Sequence, residues 1–219
     1  MSSRNLVQRL GYDAFRIVAR LFGVGLFRLR VVGRENWPAT GGVLVCSNHQ
    51  SSLDPPLVGL TCSRRMYFLA RESLLRTPLF GPAIRFFGTI PIDREGSGLA
   101  GLKETLRRLK AGDMVLIFPE GTRTHDGEVA PLKPGFIAVA RRGQAPLVPV
   151  AIDGAYQSWP RTSRYPRPAR LAIVIGKPIQ PEEVAELTDD DLLAELEQRI
   201  LTCHATAREL RETNISPNR

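Results

Sequence analysis

The stretch Val43-Leu44-Val45-Cys46-Ser47-Asn48-His49-Gln50-Ser51-Ser52-Leu53-Asp54-Pro55-Pro56 contains an apolar run, a polar turn and a proline-led helix start. Val43–Cys46 is short, apolar and bounded by polar residues, the pattern of a buried strand. Proline is favoured in a first helical turn, so a helix is expected over Pro55–Cys62. Asp54, directly before it, is expected to cap that helix. A strand that passes through a turn into a helix is the repeating unit of a parallel α/β sheet. In such sheets ligands bind beyond the carboxyl ends of strands, and His49 falls at such an end.

The pattern repeats on both sides. Further buried strands are expected at Leu29–Val32, Met66–Leu69, Thr89–Ile92, Met114–Phe118, Leu147–Ile152 and Leu171–Ile175. Helices are expected at Pro78–Phe86, Leu99–Lys110 and Pro134–Arg142, and one or two more over Glu182–Glu212. Thr188-Asp189-Asp190-Asp191 is a strong helix start, because carboxylates favour the positive end of the helix dipole. The expected fold is a single α/β domain with a mostly parallel sheet of about seven strands flanked by helices. The length of 219 residues suits one domain, and 43% hydrophobic content excludes a chain disordered throughout. Three dispersed cysteines, Cys46, Cys62 and Cys203, exclude a disulfide scaffold and fit a reducing compartment.

Charge is uneven. Residues 1–180 hold 26 basic and 12 acidic side chains, whereas residues 181–219 hold 4 and 10. A basic body points to an anionic partner: nucleic acid, a membrane surface or a phosphorylated small molecule. The apolar N-terminal stretch is interrupted by Arg9, Asp13, Arg16, Arg20, Arg28 and Arg30, so neither a spanning helix nor a signal peptide is expected. Arg9, Asp13, Arg16 and Arg20 form one helical stripe beside a wide apolar face, which suits a helix lying in a membrane interface. A second arginine- and aromatic-rich stretch, Arg64–Phe87, also suits peripheral attachment. The same patterns fit helices packed on the core. The chain is thus read as an amphipathic membrane-associating segment (1–28), a catalytic body (29–180) and an acidic helical extension of the same domain (181–219). The expected location is the cytoplasmic side of the cell membrane, peripheral or monotopic. Arg161–Arg170 (RTSRYPRPAR) is expected to be an extended basic loop.

Four motifs carry chemistry. In Asn48–Asp54 a tight turn would let the Asp54 carboxylate hold one tautomer of His49, freeing the other ring nitrogen as a general base. Gly88–Arg94 places Arg94 after a strand, where a guanidinium meets phosphate bidentately. Phe118-Pro119-Glu120-Gly121-Thr122-Arg123-Thr124 follows a strand too. Its Gly121 turn with Thr122 and Arg123 makes an anion cradle, and Glu120 can accept a hydrogen bond from a hydroxyl. Val148–Ile152 contains Pro149, which implies an edge strand or a local break in pairing. Taken singly, these residues also fit a solvated loop histidine, a surface Asp93–Arg94 pair and a polar turn. Gly96–Gly101 spells G-x-G-x-x-G but does not follow directly from a strand, so it reads as a loop feeding a helix. Serine-elbow, P-loop and metal-ligand spacings are absent from the sequence.

NHQSSLD, GTIPIDR, FPEGTRT and VPVAI, in that order, resemble the four blocks of the glycerolipid acyltransferases. The most similar branch is that of the 1-acylglycerol-3-phosphate (lysophosphatidate) acyltransferases. The resemblance spans Asn48–Ile152. It implies transfer of an acyl group from acyl-CoA or acyl carrier protein to the free hydroxyl of 1-acylglycerol 3-phosphate, with no metal and no cofactor. It implies His49 as general base and Asp54 as its orienting partner. Arg94, Glu120, Gly121, Thr122 and Arg123 would hold the phosphate head, and Pro149 would line the acyl-donor side. Pro91 and Thr124 depart from common family residues at positions bearing on acceptor choice. The implied partners are an anionic membrane surface, a lysophospholipid and the acyl donor, and no nucleic acid. Other readings are the same chemistry on glycerol 3-phosphate or another lysolipid, and a non-catalytic basic module binding membrane or nucleic acid.

Overall fold

The computed structural model describes residues 25, 27–71, 89–92 and 99–213. Most of the segment 1–28, the basic stretch beyond Arg71, the expected helix Pro78–Phe86, Arg94 and Gly96–Gly98 lie outside the described residues.

Seven strands form one sheet: β1 (Arg30–Val32), β2 (Val43–Ser47), β3 (Met66–Arg71), β4 (Thr89–Ile92), β5 (Met114–Ile117), β6 (Leu147–Asp153) and β7 (Ala172–Ile175). Their order is β1-β7-β6-β2-β5-β3-β4. Every neighbouring pair is parallel except β6–β7. Parallel neighbours need crossovers. These carry α1 (Asp54–Thr61) between β2 and β3, α2 (Leu99–Lys110) between β4 and β5, and α3 (Gly135–Gly143) between β5 and β6. A short helix, α4 (Ala155–Ser158), follows β6 and was not expected. The C-terminal part folds into α5 (Pro181–Glu186) and α6 (Asp189–Glu212), with Thr188 Oγ1 accepting from Asp191 N as the helix start predicts.

All five residues of β2 are buried, as expected of a strand covered on both faces. Alternation sends Val43 and Val45 to one face, where they pack with Leu57 and Val58 of α1. It sends Leu44 and Cys46 to the other, where they meet Leu109 of α2, Phe136 of α3 and Leu192, Leu196 and Ile200 of α6. The acidic extension is therefore part of this core, and Arg141 pairs with its Asp189 at 2.8 Å.

Pro149 sits in an interior strand, and the pairing breaks locally on one flank, one of the two outcomes its sequence allowed. Gly176, just past β7, donates to Pro149 O at 2.8 Å, while proline has no N–H to return the bond. Pairing resumes at Leu147, which exchanges both bonds with Ile179 at 2.9 and 2.8 Å.

Two glycines test how tightly the layers meet. A Cβ at Gly42 would stand 2.1 Å from Leu109 O, a backbone atom, whereas nothing lies within 4 Å of one at Gly59 in α1. Gly42→Ala is expected to destabilise by about 3 kcal/mol, the upper range of overpacking. Gly59→Ala is expected to stabilise by about 0.5–1 kcal/mol. Urea unfolding with an unchanged m-value reads both, and equal midpoints would contradict the close approach of α2 to β2.

Candidate active site

β2 and β5 are adjacent and parallel, with Cys46 opposite Ile117. Their carboxyl ends therefore release Asn48–Asp54 and Phe118–Thr124 side by side. The His49 and Phe118 rings stack, with centroids 3.9 Å apart and planes 16° apart. Glu120 Oε1 accepts from His49 N at 2.8 Å, and Thr124 N donates to His49 O at 2.8 Å. The histidine backbone is thus held on both sides by the second loop.

The Asp54 carboxylate is fully buried and turns back into the loop. It does not cap α1, since the residue at the cap position is Leu53 and makes no side-chain cap bond. Asp54 Oδ2 accepts from Gln50 N at 2.6 Å, Ser51 N at 2.7 Å and His49 Nδ1 at 2.8 Å. The preference for a cap gave way because three donors inside the turn compete for the same oxygen. An ionised carboxylate only accepts, so the Nδ1 position carries the proton and Nε2 keeps its lone pair. The His49 side chain is 19% exposed, so a substrate can reach the ring.

Glu120 is buried, and its Oε2 has no hydrogen-bond partner among the described residues. Burial, reinforced by the nearby Asp54 and Asp126 carboxylates, pushes its pKa up to about 7 against bonds from His49 N and Ala130 N. The folded state therefore holds a proton that the unfolded chain releases near pH 4.5. Stability must fall as pH rises from about 4.5 to 7, by roughly 3 kcal/mol in all. Glu120→Gln, which mimics the protonated form, is expected to gain that margin over the wild type between pH 4.5 and 8. Urea unfolding at both ends of the window reads it. A difference independent of pH would mean that Glu120 is ionised throughout.

The remaining expected residues gather unevenly. Gly121 has φ +74°, as the turn requires, but its N–H is taken up by Phe118 O at 2.9 Å. Thr122 is exposed, and Arg123 Nη1 donates to Ser52 Oγ at 2.9 Å, tying the two loops together. Pro149 stays inside the sheet, its ring turned to Gly176 near Cys203.

Three contributors escaped the sequence reading. Lys133 brings its ammonium to 3.1 Å from where a Gly121 Cβ would stand. Asn48 extends the β2–β6 ladder with its side chain, donating to Ile152 O at 3.0 Å and accepting from Ile152 N at 2.8 Å. Gln50, fully buried, accepts from Ala155 N at 3.0 Å and Tyr156 N at 3.2 Å and donates to Gly127 O at 2.6 Å. Behind it lie His204 of α6 at 3.3 Å and Asp153. Burial alone would raise the Asp153 pKa, but bonds from His204 and Arg211 hold it at about 2.

The described cysteines are all buried, and burial pushes the Cys46 thiol far above its ordinary range, so it is no nucleophile. Among the described residues, no group of three or more His, Cys, Asp or Glu is placed to hold a metal ion, and no helix is long and apolar enough to cross a membrane. The arrangement is a histidine ring oriented by a buried carboxylate, beside a loop bearing basic side chains.

The Acyltransferase family model matches residues 28–153. The chain is 29% identical over 189 residues to the 1-acyl-sn-glycerol-3-phosphate acyltransferase of Bacillus subtilis, covering 86% of this chain and 90% of that one. It is 34% identical over 181 residues to the mouse 1-acyl-sn-glycerol-3-phosphate acyltransferase alpha, covering 80% of this chain and 60% of that one. The crystal structure of the 1-acyl-sn-glycerophosphate (LPA) acyltransferase PlsC from Thermotoga maritima superposes with a TM-score of 0.81 at 26% identity, over 99% of this chain and 86% of that one.

Proposed function

Because the chain belongs to the Acyltransferase family, we propose that it transfers an acyl group from a thioester to the free hydroxyl of 1-acylglycerol 3-phosphate, making phosphatidic acid. The observation that carries the chemistry is the His49 Nδ1–Asp54 Oδ2 bond of 2.8 Å at the carboxyl end of β2. With Nδ1 committed to the carboxylate, Nε2 takes the proton of the acceptor hydroxyl as its oxygen attacks the thioester carbonyl. The tetrahedral intermediate collapses, the carbon–sulfur bond breaks, and the His49 imidazolium returns the proton to the departing thiolate. Asp54 stabilises the imidazolium between the two steps. The products are the ester and a free thiol, and neither metal nor cofactor enters the balance.

Arg123 and Lys133, with Thr122, are the groups we assign to the acceptor phosphate, together with Arg94. Glu120 holds the His49 backbone and keeps a carboxyl oxygen beside it. Pro149 is assigned to the acyl-donor side by resemblance. Acyl-CoA and acyl carrier protein both present a thioester of the required kind. We place the protein peripherally at the cytoplasmic face of the membrane through the segment 1–28, a reading supported by its basic stripe and apolar face.

The test is acyl transfer to lysophosphatidate in mixed micelles, with long-chain acyl-CoA and acyl carrier protein as alternative donors. Phosphatidic acid is the expected product. Glycerol 3-phosphate and lysolipids without a terminal phosphate are expected to compete poorly. Preferential acylation of one of those would replace the proposed acceptor.

A further inference from the structure

The loop between α4 and β7 has no role in this chemistry, yet its composition is the most biased in the chain. Residues 154–181 contain Arg161, Arg164, Arg167, Arg170 and Lys177 and no Asp or Glu. All four arginines are exposed, and among the described residues none has a carboxylate partner. Other arginines of the fold are engaged internally: Arg141 with Asp189, and Arg30 with the carbonyls of Leu210 and Thr213. Between Arg164 and Arg167 stands Tyr165, at 67% exposure the most exposed of the large hydrophobic residues described. The Arg164 guanidinium lies 5.4 Å from its ring centre.

The loop is built rather than slack. Trp159 Nε1 donates to Ser163 O at 3.0 Å, and Ser158 and Arg167 exchange bonds of 2.8 Å. One end is fastened to the catalytic turn, where Ser51 Oγ donates to Trp159 O at 2.9 Å and Arg161 Nη1 lies 3.0 Å from His125 Nε2. The other end brings Arg170 beside Arg28 and Arg30 around one small cavity, where the segment 1–28 joins the body.

We infer that Arg161–Arg170 is a docking strip for an anionic lipid surface, holding the carboxyl ends of β2 and β5 toward the bilayer. The inference rests on the proposed lipid acceptor, which must be met at an interface. Exposed arginines supply attraction to anionic headgroups, and an exposed tyrosine has the amphipathic shape that settles at headgroup depth. Charge alone would equally suit an acidic carrier protein. The exposed aromatic ring and the run of the strip from active site to N-terminal segment favour the membrane.

The experiment uses the full chain and sedimentation with phosphatidylcholine vesicles, with or without phosphatidylglycerol. The wild type is expected to prefer the anionic vesicles, and added salt to weaken that preference. The triple variant Arg161→Ser, Arg164→Ser, Arg167→Ser is expected to lose roughly a hundredfold in partitioning, about fivefold per arginine. The corresponding triple lysine variant is expected to retain binding, because headgroup attraction needs charge and not the guanidinium fork. Turnover of a water-soluble short-chain acceptor is expected to be equal in all three. Unchanged vesicle binding in the serine variant overturns the inference. So does a fall in its turnover with carrier-protein donor in the vesicle-free assay, which would assign the strip to the donor. If lysophosphatidate is not a substrate at all, the proposed function fails, while the vesicle measurement still reads the strip separately.

Discussion

Removing the imidazole in His49→Ala is expected to lower kcat by about 10²–10⁴-fold, the contribution of a positioned general base. The effect should be chemical and not structural. After the substitution Asp54 Oδ2 still receives Gln50 N and Ser51 N, so the turn keeps two of its three bonds. Glu120 and Thr124 bind the His49 backbone, which alanine retains. What leaves is a partly exposed ring stacked on Phe118. Steady-state kinetics, with circular dichroism as the fold control, decides the matter. A folded alanine variant within threefold of wild-type kcat would remove His49 from the mechanism. Because no serine or cysteine nucleophile is invoked, a quenched wild-type reaction should also carry no covalently bound acyl group.

Asp54→Asn changes one oxygen to an amide and is expected to cost nearly as much, approaching 10⁴-fold in kcat. An amide oxygen is neutral, and three donors converge on the position it would occupy. Placed there, the amide oxygen still accepts from Nδ1, and its NH₂ takes the Oδ1 site, which has no hydrogen-bond partner among the described residues. The imidazole is then held by a neutral acceptor, which orients it less firmly than a carboxylate. The imidazolium formed in the reaction also loses its counter-charge. A stability loss of about 1–3 kcal/mol should accompany this, from weakened bonds to buried backbone donors. The double variant with His49→Ala should be scarcely slower than either single one, because the pair acts as a unit. Additive losses would show that Asp54 serves catalysis independently of His49.

All seven strands were legible because each is an apolar run closed by polar residues, glycine or proline, whatever its neighbours. The order of the strands and the antiparallel seating of β7 were not, since a four-residue apolar run reads alike in either direction. The His49–Asp54 pair was legible because both partners lie in one short turn. Gln50 was visible only as a letter of that turn. Its partners Gly127, Ala155 and His204 are separated from it by about 80 to 150 residues, so its part in joining three loops exists only after folding. Lys133 went unnoticed for a similar reason: nothing in Leu132-Lys133-Pro134 marks it until the chain carries it over Gly121. The Asp54 cap was misread from a local rule, and the donors that overrule it are upstream in the same turn.

The edge strand β1 pairs with β7, Arg30 standing opposite Ala172, about 140 residues later. During synthesis at about 5–20 residues per second, β1 therefore leaves the ribosome roughly 7–28 s before its partner exists. The first strand made is the last to be paired, and the Arg30 side chain waits longer still for the carbonyls of Leu210 and Thr213. For that interval the chain before Arg30 is joined to a strand that the sheet has not yet taken in.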